Sequence, residues 1–281
     1  MRLHDISPKY AWTLPLIACF WWWAMLTGLM VSWFISGRQP YYTDYANMNR
    51  MIIYLSDLAA TNRQPAFICG TALMSIFIVW GVYEEFKLRD KNAPYLLPYY
   101  SRVTKWMQIS LIIVITLSSF CILMVSCIKV TKNLKVHILF LGCFIGFDVV
   151  FAFINVFLKM IYHYHYRQRY FAISFAITFL WAACTIVVIS LFGVFILIAI
   201  DQGNASYFYG YSGVMEWSAC YLYGALFIIL SVDMTRPRAD ALVMAEFRKC
   251  SRVAPSTAST TLADNSDILD LEDREMTQTI L

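Results

Sequence analysis

The sequence predicts an all-α membrane protein, with six transmembrane helices in one bundle over residues 1–234 and a disordered cytosolic tail over residues 235–281. Three observations predict it. The chain is 60% hydrophobic and only 14% charged, against about 25% charged residues in soluble domains. It contains six apolar runs, each close to the roughly 20 residues needed to cross hydrocarbon. The basic residues are also shared unevenly between the loops that join these runs. The net charge of +4 is too small to point to nucleic acid as a partner.

The polar start, MRLHDISPKY, runs into the first span, 13–36, without a small-residue cleavage site. It therefore reads as a retained helix and not as a cleaved signal. Trp21, Trp22 and Trp23 within it read as packing or interfacial-belt residues. The second span, 64–84, is bounded by Arg63 and Glu84, and the third, 106–128, by Lys105 and Lys129. The fourth, 136–158, lies between Lys135 and Lys159. The fifth, 172–200, belongs to a run longer than a bilayer requires, which implies tilt or extension past the membrane. The sixth, 213–233, carries Glu216 near its start. Eight cysteines fall mostly inside apolar runs with no CxxC or metal-ligand spacing, so they read as packing residues without a disulfide framework. No catalytic, metal or cofactor signature occurs: the chain has no P-loop, no GxSxG and no HExxH.

Six spans put both termini on one side. The N-terminus, the second and fourth loops and the start of the tail hold fifteen Lys and Arg, and the other side holds six. Cytoplasmic segments carry the excess, so both termini are expected in the cytosol. Asn204-Ala205-Ser206 is a glycosylation sequon in the fifth loop, which this count places outside. Beyond Thr235 the chain is first basic, then rich in Ser and Thr, then acidic, a composition that cannot bury a core. The basic part suits anionic lipid headgroups, Cys250 within it is a palmitoylation candidate, and the tail offers a docking segment to a cytosolic protein partner.

The fourth span carries the polar residues that matter most. His137, Asp148 and Asn155 are spaced by 11 and 7 residues, which brings all three to nearly one helix face. Hydrocarbon offers such a stripe no partners, so it must face protein or water. Asp148 lies about 16 Å further along the helix than His137. For Asp148 two readings stand, a functional intramembrane group and interhelical glue. Asn155 reads as helix-packing glue. For Glu216, beside Trp217, two readings stand: a contact with His137, both lying near the outer ends of their helices, and an interfacial carboxylate facing water with Trp217 in the aromatic belt. His163 and His165 are expected in a cytosolic loop and make a poor metal site. In the first outside loop, Ser56 and Asp57 are good turn or capping residues.

Tyr54-Leu55-Ser56-Asp57 ends the first outside loop, His137 with Gly142 and Phe147 opens the fourth span, and Glu216-Trp217 starts the sixth. Taken in order, these resemble the DRAM (damage-regulated autophagy modulator) family. That family lies within the broader FRAG/DRAM/SFK group of six-span proteins, which includes the transmembrane protein 150 group and GPI-lipid remodelling factors. The resemblance covers residues 10 to 234. The family pattern usually follows its Ser-Asp with Pro-Pro-Glu, whereas this chain has Ala59-Ala60-Thr61-Asn62-Arg63-Gln64-Pro65 and lacks that carboxylate. Asp148 belongs to no part of the pattern. The resemblance implies a non-enzymatic regulator of autophagy, lysosomes or phospholipid organisation in the endolysosomal or plasma membrane. Two alternatives stand beside it. One is a lipid- or GPI-remodelling component with an outer-leaflet headgroup site formed by Asp57, His137 and Glu216, within the polar set Tyr54, Ser56, Asp57, His137, Asp148, Glu216 and Trp217. The other is a proton- or cation-coupled transporter or channel using Asp148.

Overall fold

A computed structural model describes residues 10–36, 52–90, 99–166, 169–202 and 206–235, all within the first of the chain's two units, Met1–Arg238. The described residues form seven helices: α1 (Thr13–Ile35), α2 (Leu55–Ala59), α3 (Gln64–Asp90), α4 (Arg102–Cys127), α5 (Leu134–Tyr166), α6 (Arg169–Asp201) and α7 (Ser206–Thr235). The six long ones are long and apolar enough to cross a membrane. The protein is an integral, multi-pass α-helical membrane protein.

The long helices close into a ring. α1 packs on α3, α3 on α4, α4 on α5, α5 on α6, α6 on α7, and α7 returns to α1. Each neighbouring pair is antiparallel. Ser118 on α4 meets Asp148 on α5, Ser75 on α3 meets Ser119 on α4, and Trp22 and Trp12 on the α1 side meet Cys220 and Ser231 on α7. Alternation around six members leaves α5 and α7 parallel, and they meet through long side chains such as Phe144 on Tyr223. The surface turned away from the ring is apolar: Phe179, Leu180 and Leu197 on α6 and Ile138, Leu139 and Phe153 on α5 are all exposed. In hydrocarbon these are lipid-facing side chains.

The helices outrun the expected spans for local reasons. α3 continues to Asp90, past the span end that the sequence predicts near Glu84, because its last two turns satisfy their own charges. Arg89 donates twice to Glu85 at 3.1 and 2.8 Å, Lys87 pairs with Glu84 at 3.3 Å, and the Arg89 guanidinium sits 5.3 Å from the Tyr162 ring centroid. α4 starts earlier than expected because Ser101 and Thr104 form a reciprocal capping box. α5 runs on to Tyr166, so His163 and His165 lie in its last turns and not in a loop. α7 starts at Ser206, which places Glu216 ten residues, about 15 Å, inside the helix instead of at its end.

Helix ends at the α2 end of the ring are closed by side chains. Arg63 donates to Ser32 O at 3.1 Å and Ser36 Oγ at 2.7 Å, and also bonds Ser32 Oγ. A cation thus satisfies the carbonyl end of α1. Gln64 does the same for α4, through Ser126 O and Cys127 O.

α7 accepts three indole N–H bonds on successive carbonyls: Trp22 to Cys220 O at 2.7 Å, Trp23 to Tyr221 O at 3.2 Å and Trp181 to Leu222 O at 2.7 Å. Trp22 and Trp23 are therefore packing residues, while Trp21 faces outward. Trp23 reaches its carbonyl because residue 224 is glycine, where a Cβ would lie 2.1 Å from Trp23 Nε1. Small residues at such crossings let membrane helices approach. Gly224→Ala is expected to displace the indole and cost about 1–3 kcal/mol, the usual penalty of overpacking. An unchanged melting midpoint in detergent would rule out that close approach.

Candidate functional site

The ring is not filled. A cavity with about 970 Å³ of unfilled space, its open mouth included, is lined by side chains from all six long helices and by Leu55 and Ser56 of α2. Its walls are largely apolar, including Trp22, Phe67, Ile122, Ile145, Trp181, Ile189 and Phe192. Among them stand His137 and Asp148 from α5, Thr185 from α6, and Glu216, Cys220 and Tyr223 from α7. Among the described residues, no Lys or Arg lines it.

α2 covers one end of this cavity, and the Tyr54–Asp57 and Glu216–Trp217 motifs meet there. Tyr54, at the N-cap of α2, makes no side-chain cap, which leaves the first amides of the helix in need of an acceptor. Glu216 supplies it. Its Oε2 accepts from Leu55 N at 2.8 Å, and the Ser56 N–H is within its reach. Trp217 Nε1 donates to Ile53 O at 2.8 Å. The Tyr54 ring stands edge-on to Phe192 at 6.4 Å. Ile52 packs where a Cβ on Gly213 would meet it at 2.8 Å. The α2 side chains Leu55 and Leu58 are buried. Ser56 faces the cavity, and Asp57 lies in the first turn of α2.

His137 is 3% exposed. Its Nδ1 lies 2.7 Å from Ile128 O. A carbonyl can only accept, so Nδ1 carries the proton. Nε2 is buried and has no hydrogen-bond partner. Phe144 and Tyr223 face each other across the parallel α5 and α7. His137 and Glu216 each precede these by seven residues, so they share a level about 10 Å nearer the α2 end. The expected His137–Glu216 bond is nevertheless not formed. The imidazole is turned to the α4–α5 connection and the carboxyl group to α2, and the two border the same cavity with no hydrogen bond between them.

Asp148 lies about 6 Å further from α2 than Phe144 and accepts from Ser118 Oγ at 2.6 Å. Asp148 and Glu216 are each partly exposed, and the cavity they line is where that surface turns. The Tyr223 hydroxyl lies near Ser118 and Asp148 but makes no hydrogen bond of ordinary geometry. Asn155 is 2% exposed with its Nδ2 unpartnered, so the expected interhelical hydrogen bond from its amide is absent. One helix face does hold His137 and Asp148 together at the cavity, but Asn155 lies outside the lining. Asn204 and Cys250 lie outside the described residues, as does the tail beyond Thr235.

A second polar centre lies at the far end of the ring, and sequence reasoning missed it. Asp233 on α7 bonds Lys159 Nζ of α5 and accepts from Tyr170 OH at 3.0 Å and Ser174 Oγ at 2.6 Å, both from α6. Lys159 and Asp233 are each 8% exposed. The available signal was one Lys and one Asp at the same ends of two parallel spans.

Comparison with known proteins agrees with this architecture. The Frag1/DRAM/Sfk1/Cwh43P N-terminal domain pattern matches residues 10–236, from just before α1 to the end of α7. Over 89 residues the chain is 28% identical to Protein SFK1 of Saccharomyces cerevisiae, covering 32% of this chain and 25% of the yeast protein. The match thus spans a quarter of that relative's length. No solved structure matches the chain. With the family pattern covering the whole ring of six helices and the cavity it encloses, the chain belongs to the Frag1/DRAM/Sfk1/Cwh43P N-terminal domain family.

Proposed function

We propose that this protein is a non-enzymatic membrane regulator that holds a lipid in the cavity of its helix ring and acts through lipid organisation in the endolysosomal or plasma membrane. The single observation that carries this reading is the cavity itself. It is walled by all six long helices, mostly apolar and provided with a few convergent polar groups, which is the usual make-up of a small-molecule site. Residues of all three sequence motifs, Leu55 and Ser56, His137, and Glu216, stand on its wall. The α2 end would face away from the cytosol and both termini into it, as the basic-residue count supports.

A remodelling role with an outer-leaflet headgroup site shares this cavity, but it loses the His137–Glu216 pair on which it rested. The transport reading through Asp148 gains less. Ser118 already partners that carboxyl group, and about 16 Å further along α5 the α5–α7 gap is bridged by Lys159 and Asp233.

Cells lacking the protein should show altered transbilayer lipid distribution or altered autophagic flux, restored by the full chain but not by Ala219→Phe, which fills the cavity and leaves its polar groups in place. If both readouts stay normal without the protein, the reading is wrong. The tagged full chain should fractionate with endolysosomal or plasma membranes and expose a C-terminal reporter to the cytosol. A reporter found on the opposite face would reverse the orientation.

A further inference from the structure

The chemistry of the cavity wall restricts what fits inside it. Among the described wall residues, the buried polar atoms without a hydrogen-bond partner belong to hydroxyls and one imidazole. His137 Nε2 and the hydroxyls of Thr185 and Tyr223 lack partners, and all three residues line the cavity. His137 and Tyr223 are 3% and 5% exposed, so water at the protein surface does not serve them. The two acidic groups are already engaged, Glu216 by the Leu55 amide and Asp148 by Ser118. Among the described residues that line it, no Lys or Arg is present to hold an anion. A phosphate would enter a low-dielectric space whose described lining offers it two carboxyl groups and no cation, which charge burial disfavours strongly.

His137 adds a direction to this. With its Nδ1–H committed to Ile128 O, Nε2 of the uncharged ring is a lone-pair acceptor. An acceptor buried at 3% exposure without a donor is the kind of group a bound molecule completes. From this, and resting on the lipid-site reading above, we infer that the cavity binds an uncharged amphiphile whose hydroxyl head donates to His137 Nε2 while its apolar body lies along Trp181, Ile186 and Ile189. Sterols, diacylglycerols and ceramides share this chemistry. Phospholipids with an unmasked phosphate do not.

The test uses the purified full chain in nanodiscs, with photoactivatable, clickable sterol, diacylglycerol and ceramide probes, and a phosphatidic acid probe as the anionic comparison. Crosslinked peptides are mapped by mass spectrometry. At least one hydroxyl-headed probe should label cavity residues of α5, α6 or α7 and be competed by its unlabelled parent. Which probe does so identifies the source of the head. The O-methyl ether of that probe, which cannot donate, should label the unaltered protein about five- to tenfold less, the scale of one lost hydrogen bond. His137→Phe should produce a similar loss, and Thr185→Val, a near-isosteric change, a smaller one. If the methyl ether labels as well as its parent, or phosphatidic acid labels the cavity as well as the hydroxyl probes, the ligand class is wrong while the lipid-site reading survives. If no probe labels the cavity, both are wrong.

Discussion

Asp233→Ala is expected to lower the stability of the purified protein by about 3–5 kcal/mol, the usual cost of removing one member of a buried ion pair. The size follows from what is left behind. Lys159 is only 8% exposed and would be left buried without its counter-ion. Tyr170 and Ser174 would lose the acceptor they share. The contact joins α5, α6 and α7 at the end of the ring away from α2, so its loss loosens three helices at once. At roughly 2–4 °C per kcal/mol for a domain of this size, the melting midpoint in detergent should fall by roughly 6–20 °C. Asp233→Asn keeps an acceptor for Tyr170 and Ser174 and should be the milder change. The double variant Lys159→Met with Asp233→Leu removes both charges and should recover most of the loss. A single Asp233→Ala variant that melts with the parent would show that the pair does not hold the ring together.

Why this pair was hidden in the sequence while the spans were not is a matter of which signals are local. Span length, apolar content and loop charge are properties of contiguous residues, and each of the six spans is recognisable from its own stretch. Lys159 and Asp233 sit at the ends of two apolar runs separated by 74 positions, where a single charge looks like an ordinary flanking residue. The basic-residue count accordingly treats Lys159 and Arg89 as loop charges, although both are 8% exposed inside the protein. Without them the bias is thirteen to six and keeps its sign. The site was half legible. The polar stripe on α5 marked His137 and Asp148 as inward-facing, and both line the cavity. The partner of Glu216 was not legible, because a backbone amide carries no sequence signature. Histidine was the visible candidate, and the actual partner is the uncapped start of α2. The ring closure of α7 on α1 and the cavity it encloses depend on packing between helices some 200 positions apart, about which periodicity within a single helix says nothing.

Glu216→Ala is expected to release the start of α2 from the end of the cavity that it lines. The change leaves the Leu55 amide, and the Ser56 amide within the same reach, without the acceptor they have in the parent. Tyr54 supplies no side-chain cap to replace it. A buried donor left unsatisfied costs about 1–3 kcal/mol, and a five-residue helix has almost no stability of its own to set against that. What remains is the Trp217 bond to Ile53 O and the burial of Leu55 and Leu58, which keep the segment near α7 but do not fix its start. The consequence should be local. The six-helix ring does not depend on Glu216, so the melting midpoint should fall by much less than in Asp233→Ala, while access to the cavity should rise sharply. A Ser56→Cys reporter reads this directly, since Ser56 faces the cavity. In Glu216→Ala, a membrane-impermeant maleimide added from the side opposite the cytosol should label the introduced thiol at least several-fold faster than in the parent reporter. Glu216→Gln retains an acceptor oxygen and should stay close to the parent rate. Equal labelling of all three proteins would mean that α2 is held by its apolar contacts alone. Faster labelling from the cytosolic side would mean that the bundle is inverted.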